Sequence, residues 1–219
     1  MTTNQPDPSR PRGLRTGRLE AFSDGVFAIA ITLLVLELSV PQGSGNDLLA
    51  TILEQWPSYL AYIVSFATIG AAWIAHTAIT HYVDRTDTNF ARINLLVLLV
   101  VSFLPFPTKL VAQYIRDEEA VRVAVTILGV NLLLIAVILY VMWRYALSRS
   151  LIRPDADDED VRVLTQRLTP SLAGYLVLIV IGLFFPLAAV FGYLLIALVL
   201  VLPLRLGRPQ TPPTEPGAA

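Results

Sequence analysis

Long apolar stretches are the feature that most restricts the folds open to this chain, and the first of them contains an acidic residue. This stretch runs from Ala21 to Leu38 and has Ser23 and Asp24 near its charged end. An acidic residue at the centre of a membrane helix costs roughly 2.5–3.5 kcal/mol even on the mildest scale. We therefore expect this helix to face protein, water or an ion path, and it is the leading candidate for the functional element.

The composition places the whole chain among membrane proteins. Of its 219 residues, 55% are hydrophobic and 15% are charged, and the mean hydropathy is +0.63. Soluble domains are about 45–50% apolar and about 25% charged. The chain has no cysteine, which excludes disulfides and thiolate chemistry. Its net charge of −1 gives no indication of nucleic-acid binding.

Apolar runs of about 20 residues predict six membrane-spanning helices. The predicted spans cover residues 19–39, 56–80, 91–114, 119–148, 168–186 and 188–205. Pro105 and Pro107 predict a kink or break near the outer end of the third span. Phe185 and Pro186 predict a tight reversal between the fifth and sixth spans. The predicted fold is an all-α integral membrane protein.

Basic residues are distributed unevenly between the two sides of the predicted spans, which sets the orientation. The side that holds both termini carries Arg10, Arg12, Arg15, Arg18, Arg85, Arg92, Arg144, Arg149, Arg153, Arg162, Arg167, Arg205 and Arg208. The opposite side carries Lys109, Arg116 and Arg122. Both termini are therefore expected in the cytoplasm. We expect disordered tails at 1–17 and 206–219 around a channel-like helical domain at 18–205.

One acidic run, Asp155–Asp160, lies between the fourth and fifth predicted spans. A calcium-binding EF-hand loop requires Gly at its sixth position and Glu at its twelfth. Here those positions hold Asp160 and Gln166. A solvated loop is therefore expected rather than a calcium site.

Helical spacing in the first span places Ile29, Leu33 and Leu36 on one stripe, with Thr32 beside Leu33. Around a symmetry axis this stripe would form stacked apolar rings, and hydrophobic constrictions of this kind can gate ions by dewetting. Ordinary helix packing produces such a stripe more often. The polar residues near the start of the helix favour a helix held inside protein. Glu37, at the outer end, is expected in water at the membrane interface rather than at an electronegative pore mouth.

Polar residues of the second and third spans lie at the same depth as Ser23 and Asp24. Trp73 and His76 share a helix face, and Asn94 lies about one turn inside the third span. A network that joins Asp24 to these side chains would satisfy all of the buried polar groups. The functional alternative for His76 is a proton relay. A structural hydrogen bond is the simpler interpretation.

These residues together resemble the transmembrane-protein-175 potassium channels of bacteria, archaea and lysosomes. The characteristic motif is an Arg, three residues and then Phe-Ser-Asp on the first helix, which here is Arg18 and Phe22-Ser23-Asp24. The other similar segments are Gly25–Thr32, Trp73-x-x-His76, Asn94-Leu95 and Pro105–Thr108. The resemblance covers the first three spans, whereas the last three are similar only in number and hydrophobicity.

The resemblance implies a homotetramer of six-helix subunits in which the first helix lines the pore. The hydrophobic gate residue of the family falls on Ile29, and further apolar constrictions fall on Leu33 and Leu36. A hydroxyl layer linked to potassium preference falls on Thr32. The residues implied to hold the pore helix in place, rather than to bind the ion, are Arg18, Phe22, Ser23, Asp24, Trp73, His76 and Asn94.

The predicted function is a potassium-preferring cation channel in the plasma membrane of a prokaryote. The segment Phe191–Leu194 contains Gly-Tyr but lacks a pore-loop context, so no re-entrant selectivity-filter loop is expected. Permeant potassium is the only expected metal and no cofactor is expected. The expected partners are other copies of the chain and the lipid bilayer, not nucleic acid or a soluble protein.

A proton-coupled or alternating-access cation transporter that uses Asp24 and His76 is the alternative function. Inverted repeats and broken midplane helices would favour a transporter, and the sequence has no clear inverted repeat. An enzyme is not expected, because no nucleophile–base set or metal cluster is apparent within the spans.

Overall fold

The computed structural model of the protein describes residues 16–38 and 47–202. The predictions of disordered tails concern residues that lie largely outside these ranges. The helices are α1 (Thr16–Leu33), α2 (Leu48–Glu54), α3 (Trp56–Tyr82), α4 (Thr88–Phe103), α5 (Pro105–Tyr114), α6 (Ala120–Ser148), α7 (Asp158–Gly182) and α8 (Pro186–Val201). A 3₁₀ turn over Leu34–Glu37 continues α1.

Five helical segments are long and apolar enough to cross a membrane, namely 16–37, 56–82, 88–114, 120–148 and 158–182. The all-α multi-pass membrane fold is therefore confirmed. The remaining apolar helix, α8, has 16 residues and is about 24 Å long. This length is less than the roughly 30 Å of a bilayer's hydrocarbon core. The sixth crossing therefore stays a prediction.

The third predicted span is divided at Leu104, as the two prolines predicted. α4 ends at Phe103 and α5 begins at Pro105, which has no N–H to continue the helical hydrogen bonds. Thr108, one turn further, donates its hydroxyl to the carbonyl of Leu104 at 2.8 Å and lies 2.6 Å from the hydroxyl of Ser65 on α3. The hydroxyls of Ser65 and Thr108 therefore join α3 to α5 just beyond the break.

α7 starts well before the predicted fifth span, so the prediction of a loop over 155–160 is wrong for residues 158–160, although the run is solvent-exposed apart from the partly buried Ala156. Asp157 is the N-cap residue and accepts a hydrogen bond from the Glu159 N–H at 3.0 Å. Asp158 and Asp160 lie with Glu159 in the first helical turn. Acidic side chains there are stabilised by the positive end of the helix dipole, an effect that a hydropathy window does not register. The predicted reversal is confirmed, because α8 begins at Pro186 soon after α7 ends.

α6 lies at the centre of the bundle and packs against α3, α4, α5, α7 and α8. Its buried side chains include Leu128, Leu132, Met142 and Trp143. α1 lies at the edge, packed mainly against α3 and α4. This position covers one face of α1 and leaves the other uncovered.

Candidate pore helix and its polar contacts

α1 buries a single stripe of its surface. Ser23, Phe27, Ala30 and Leu34 are each at most 3% exposed, and their spacing of four, three and four residues is that of one helix face. The Phe27 ring lies 5.4 Å, centroid to centroid, from the imidazole of His76. The stripe therefore combines apolar packing with a polar neighbour on α3.

A hydrogen-bonded group links α1, α3 and α4 on this face. Asn94 of α4 accepts from His76 Nε2 at 2.6 Å and donates through Nδ2 to Ser23 Oγ at 3.0 Å. Ser23 Oγ in turn donates to the carbonyl of Leu19 at 2.8 Å. Ser23, His76 and Asn94 are all buried. The amide of Asn94 has both a donor and an acceptor, so one side chain satisfies a group on each of the two other helices.

A second polar contact joins α1 to α3 at the adjacent position. Trp73 Nε1 donates to Asp24 Oδ1 at 2.8 Å. Asp24 and His76 thus have different partners, and no hydrogen bond between them is present in the part of the chain that the structure describes. Within the described residues, a proton could therefore not pass directly from one of these side chains to the other along a hydrogen bond.

Two of the residues that the resemblance implies to hold α1 in place lie outside these contacts. Phe22 is 57% exposed and Arg18 is also exposed. The two residues are four positions apart and so share a helix face that is turned away from the buried stripe. The structure therefore brings Ser23, Asn94 and His76 together, and Asp24 with Trp73, in two separate groups.

The face of α1 opposite its buried stripe is uncovered in a single subunit. Ile29 is 60% exposed, Leu33 42% and Leu36 71%. Thr32 is exposed as well, and its hydroxyl donates to the carbonyl of Ile29 at 2.9 Å. A Cβ atom built on Gly25 would contact nothing within 4 Å. This face is apolar, uncovered and located within a membrane-length helix.

The 3₁₀ turn at the outer end of α1 aligns residues three apart, because a 3₁₀ helix has 3.0 residues per turn. Leu36 lies close to the same face as Leu33, and Glu37 follows the buried Leu34. The carboxylate of Glu37 pairs with Lys109 Nζ of α5 at 3.1 Å. Glu37 therefore has a cation of the neighbouring helix as its partner, and its position in water at the membrane interface stays a prediction. Glu37 and Lys109 have opposite charges and lie near the outer ends of their predicted spans, which could have predicted the ion pair.

Asp87 makes polar contacts that the sequence did not predict. It caps α4, accepts from the Phe90 N–H at 2.7 Å and accepts from the Tyr145 hydroxyl of α6 at 2.7 Å. Desolvation acts to raise the pKa of this carboxyl, but the hydrogen bonds and the nearby Arg149 outweigh it, and the pKa lies below its usual value. Asp directly before an apolar helix was the signal that could have found the cap.

Metal ligands are not clustered in the described ranges 16–38 and 47–202, where no group of three or more His, Cys, Asp or Glu side chains could hold a metal ion. Between Gly25 and Leu36, the uncovered face of α1 carries the hydroxyl of Thr32 and apolar side chains.

The arrangement defines a multi-pass α-helical membrane protein whose first helix is held on one face and uncovered on the other. Residues 18–105 match the model of the family described as the endosomal/lysosomal potassium channel TMEM175. A Chamaesiphon minutus protein named a potassium channel is 44% identical over 168 residues, which are 74% of this chain and 82% of that protein. The chain belongs to the TMEM175 family.

Two further comparisons agree with this assignment. A Streptomyces collinus protein, also named a potassium channel, is 41% identical over 163 residues, covering 73% of this chain and 79% of that protein. The crystal structure of a lysosomal potassium-selective channel TMEM175 homologue from Chamaesiphon minutus superimposes with a TM-score of 0.77 at 38% identity, over 84% of this chain and 95% of that one. The predicted resemblance is confirmed, and a family of ion channels agrees with the prediction that the chain is not an enzyme.

Proposed function

We propose that this chain is the subunit of a potassium-preferring cation channel that conducts passively through a central pore. The observation that carries the proposal is the uncovered apolar face of α1 in a chain that belongs to a family of named potassium channels. Within one subunit, no other helix covers this face. Several copies around an axis would turn it into the wall of a pore.

The proposed assembly is a homotetramer with α1 nearest the axis. Of the most apolar 18-residue stretch of each helix, 22% is buried in α1 within one subunit, compared with 44% in α6 and 17% in α7. Contacts to α3 and α4 hold α1 by one face, so its other face is free to meet neighbouring copies. Arg18 and Phe22, exposed in one subunit, are proposed to contact such a neighbour. Each subunit would cross the plasma membrane six times, with α8 as the sixth crossing, both termini in the cytoplasm and no re-entrant filter loop.

The proposed gate consists of stacked rings of Ile29, Leu33 and Leu36. The rings of Ile29 and Leu33 would lie about 6 Å apart along the axis. Apolar rings this closely spaced disfavour continuous water, and an ion without water does not pass. Thr32 would form a hydroxyl ring beside them. Because its hydroxyl hydrogen is donated to Ile29, the lone pairs of its oxygen are available to a cation.

The polar contacts are proposed to position α1 rather than to bind the ion. Ser23, Asn94 and His76 are buried away from the uncovered face, and Trp73 occupies Asp24. Asp24 is proposed to position α1 because its hydrogen bond from Trp73 ties α1 to α3. It does not lack acceptor capacity, because a carboxylate has further acceptor sites.

Reversal potentials test the proposal directly. The purified full-length protein in a planar bilayer, with potassium on one side and sodium on the other, should give a current that reverses near the potassium equilibrium potential. Discrete single-channel steps should be present. A reversal potential that does not change with the potassium gradient would contradict the proposed potassium preference. Flux without single-channel steps would favour the alternating-access transporter.

A further inference from the structure

An apolar groove lies between α7 and α8, at the end of the bundle where α7 begins and α8 ends. Its volume is about 390 Å³, within the roughly 300–1,000 Å³ typical of small-molecule sites. Leu195, Ile196 and Val199 of α8 form an apolar wall. Gly174 on α7 allows the opposite wall to approach, since a Cβ atom there would lie 3.0 Å from Ile196 Cδ1. The groove is formed without any residue of α1.

Three polar side chains of α7 line the groove at one end, namely Gln166, Arg167 and Ser171. Arg167 and Ser171 are four residues apart and therefore share a helix face. Arg167 is exposed, and within the described residues no carboxylate lies at ion-pair distance from its guanidinium. Arg167 and Ser171 also line a narrower apolar cavity of about 80 Å³ between α3, α6 and α7. An uncompensated cation thus lies where two apolar spaces meet.

Helix lengths give the expected depth of Arg167 in a bilayer. Arg167 precedes the far end of α7, at Gly182, by about 22 Å. α8 is about 24 Å long and ends at Val201. Both distances are shorter than the roughly 30 Å of a hydrocarbon core. With Gly182 at one edge of the hydrocarbon core, Arg167 would lie about 8 Å inside the other edge. A long Arg side chain can extend over such a distance and place its guanidinium among the headgroups.

We propose that this groove binds one anionic glycerophospholipid. An acyl chain would lie along the wall formed by Leu195, Ile196 and Val199, and the phosphate would accept hydrogen bonds from Arg167 and Ser171. A guanidinium is suited to this role because its planar fork matches the oxygens of a phosphate. Basic side chains between transmembrane helices on the cytoplasmic side are known sites for anionic headgroups. Charge at one end and apolar walls along the rest select a lipid rather than a soluble anion.

Native mass spectrometry of the full-length protein tests this site. The protein is purified in detergent and offered phosphatidylglycerol or phosphatidylcholine at equal concentration, and the retained lipid is counted. The wild type should retain more phosphatidylglycerol. Arg167→Gln should reduce that preference about fivefold, the effect of one basic residue near a headgroup. Arg162→Gln is the matched control, because Arg162 lies on the same helix but pairs with Glu159 at 2.9 Å.

A second variant tests the apolar part of the groove. Val199→Trp would fill the groove and should reduce retention of both lipids, whereas Arg167→Gln changes only the preference. Equal preference in the wild type and in Arg167→Gln would overturn the proposal, as would an equal loss in Arg162→Gln. Lipid binding that appears only after residues 203–219 are deleted would also overturn it, because the chain itself would then be the occupant. Lipid retention is measured without current, so these outcomes leave the channel proposal separately testable.

Discussion

The two faces of α1 differ in what they contact within one subunit. On the buried face, Ser23 meets Asn94 and, beyond it, His76, while Phe27 and Leu34 pack between the helices. On the other face, Ile29 and Leu36 are more than half exposed and have no equivalent partners within the subunit. The buried face is complete in one copy of the chain, whereas the exposed face depends on other copies. Substitutions on the first should therefore change stability, and substitutions on the second should change conduction.

The largest expected effect is that of Asn94→Leu on the buried face. The substitution keeps a side chain of similar size but leaves His76 Nε2 without its acceptor and Ser23 Oγ without its donor. Each unpartnered buried group costs about 1–3 kcal/mol, so a loss of about 2–6 kcal/mol is expected for the two groups. Denaturant titration of the purified protein would measure it.

Asn89→Leu is the matched control for that experiment, because Asn89 is on the same helix, is exposed and accepts a side-chain hydrogen bond from the exposed Arg92 at 3.1 Å. It should change stability by no more than about 0.5 kcal/mol. If Asn94→Leu were as stable as Asn89→Leu, the buried face would not be held by the polar group.

Ile29→Asn addresses the exposed face. An amide ring in place of an apolar ring would admit water to the proposed constriction and should raise single-channel conductance several-fold, while stability of the subunit stays close to wild type. Val35→Asn, on the same helix and half exposed but away from the stripe, is the matched control. Unchanged conductance in Ile29→Asn would remove this residue from the pore wall.

Asp24→Ala tests the contact at the boundary between the two faces. The variant removes the acceptor of Trp73 Nε1, and a loss of about 1–2 kcal/mol is expected together with a smaller fraction of assembled protein. Size-exclusion chromatography with light scattering would follow assembly. Trp73→Phe removes the other partner, and the double variant should cost little more than either single one. Fully additive losses would show that the two side chains act independently.

The smallest effect is expected at the outer end of α1, from Lys109→Met. Lys109 pairs with Glu37 at 3.1 Å, but both side chains are partly exposed. Exposed ion pairs contribute about 0–1 kcal/mol, and salt screens them. The difference from wild type in thermal unfolding should be small at low ionic strength and vanish at about 1 M salt. Lys109→Arg should behave as the wild type, and an effect that grows with salt would contradict a simple ion pair.

The sequence predicted which polar residues of the first three spans lie at one depth, because membrane-length helices fix the level of each side chain. It did not predict which pairs form. Depth gives no information on the direction in which a helix face points, so a single network around Asp24 was expected where the structure has two groups. The match of Trp73 with Asp24, and of His76 with Asn94, follows from how α3 and α4 are rotated against α1.

The sequence was less informative at the helix ends. The start of α7 at Asp158 was missed because acidic residues in a first turn lower hydropathy while they stabilise the helix. The 3₁₀ turn over Leu34–Glu37 was missed because it is an ordinary apolar sequence, and its ion pair with Lys109 depends on the placement of α5. Pro105, by contrast, restricts the local backbone without any contact to other helices. The helix break that it predicted is present.

The 3₁₀ turn also determines how Leu36 is oriented relative to the rest of the helix. A residue advances about 120° around a 3₁₀ helix and about 100° around an α-helix. Rewinding Leu34–Glu37 into α-helical form would therefore rotate Leu36 by about 60° relative to Leu33 and shorten the segment by about 2 Å. A local change in winding, without any movement of whole helices, would shift one apolar ring out of line with the next.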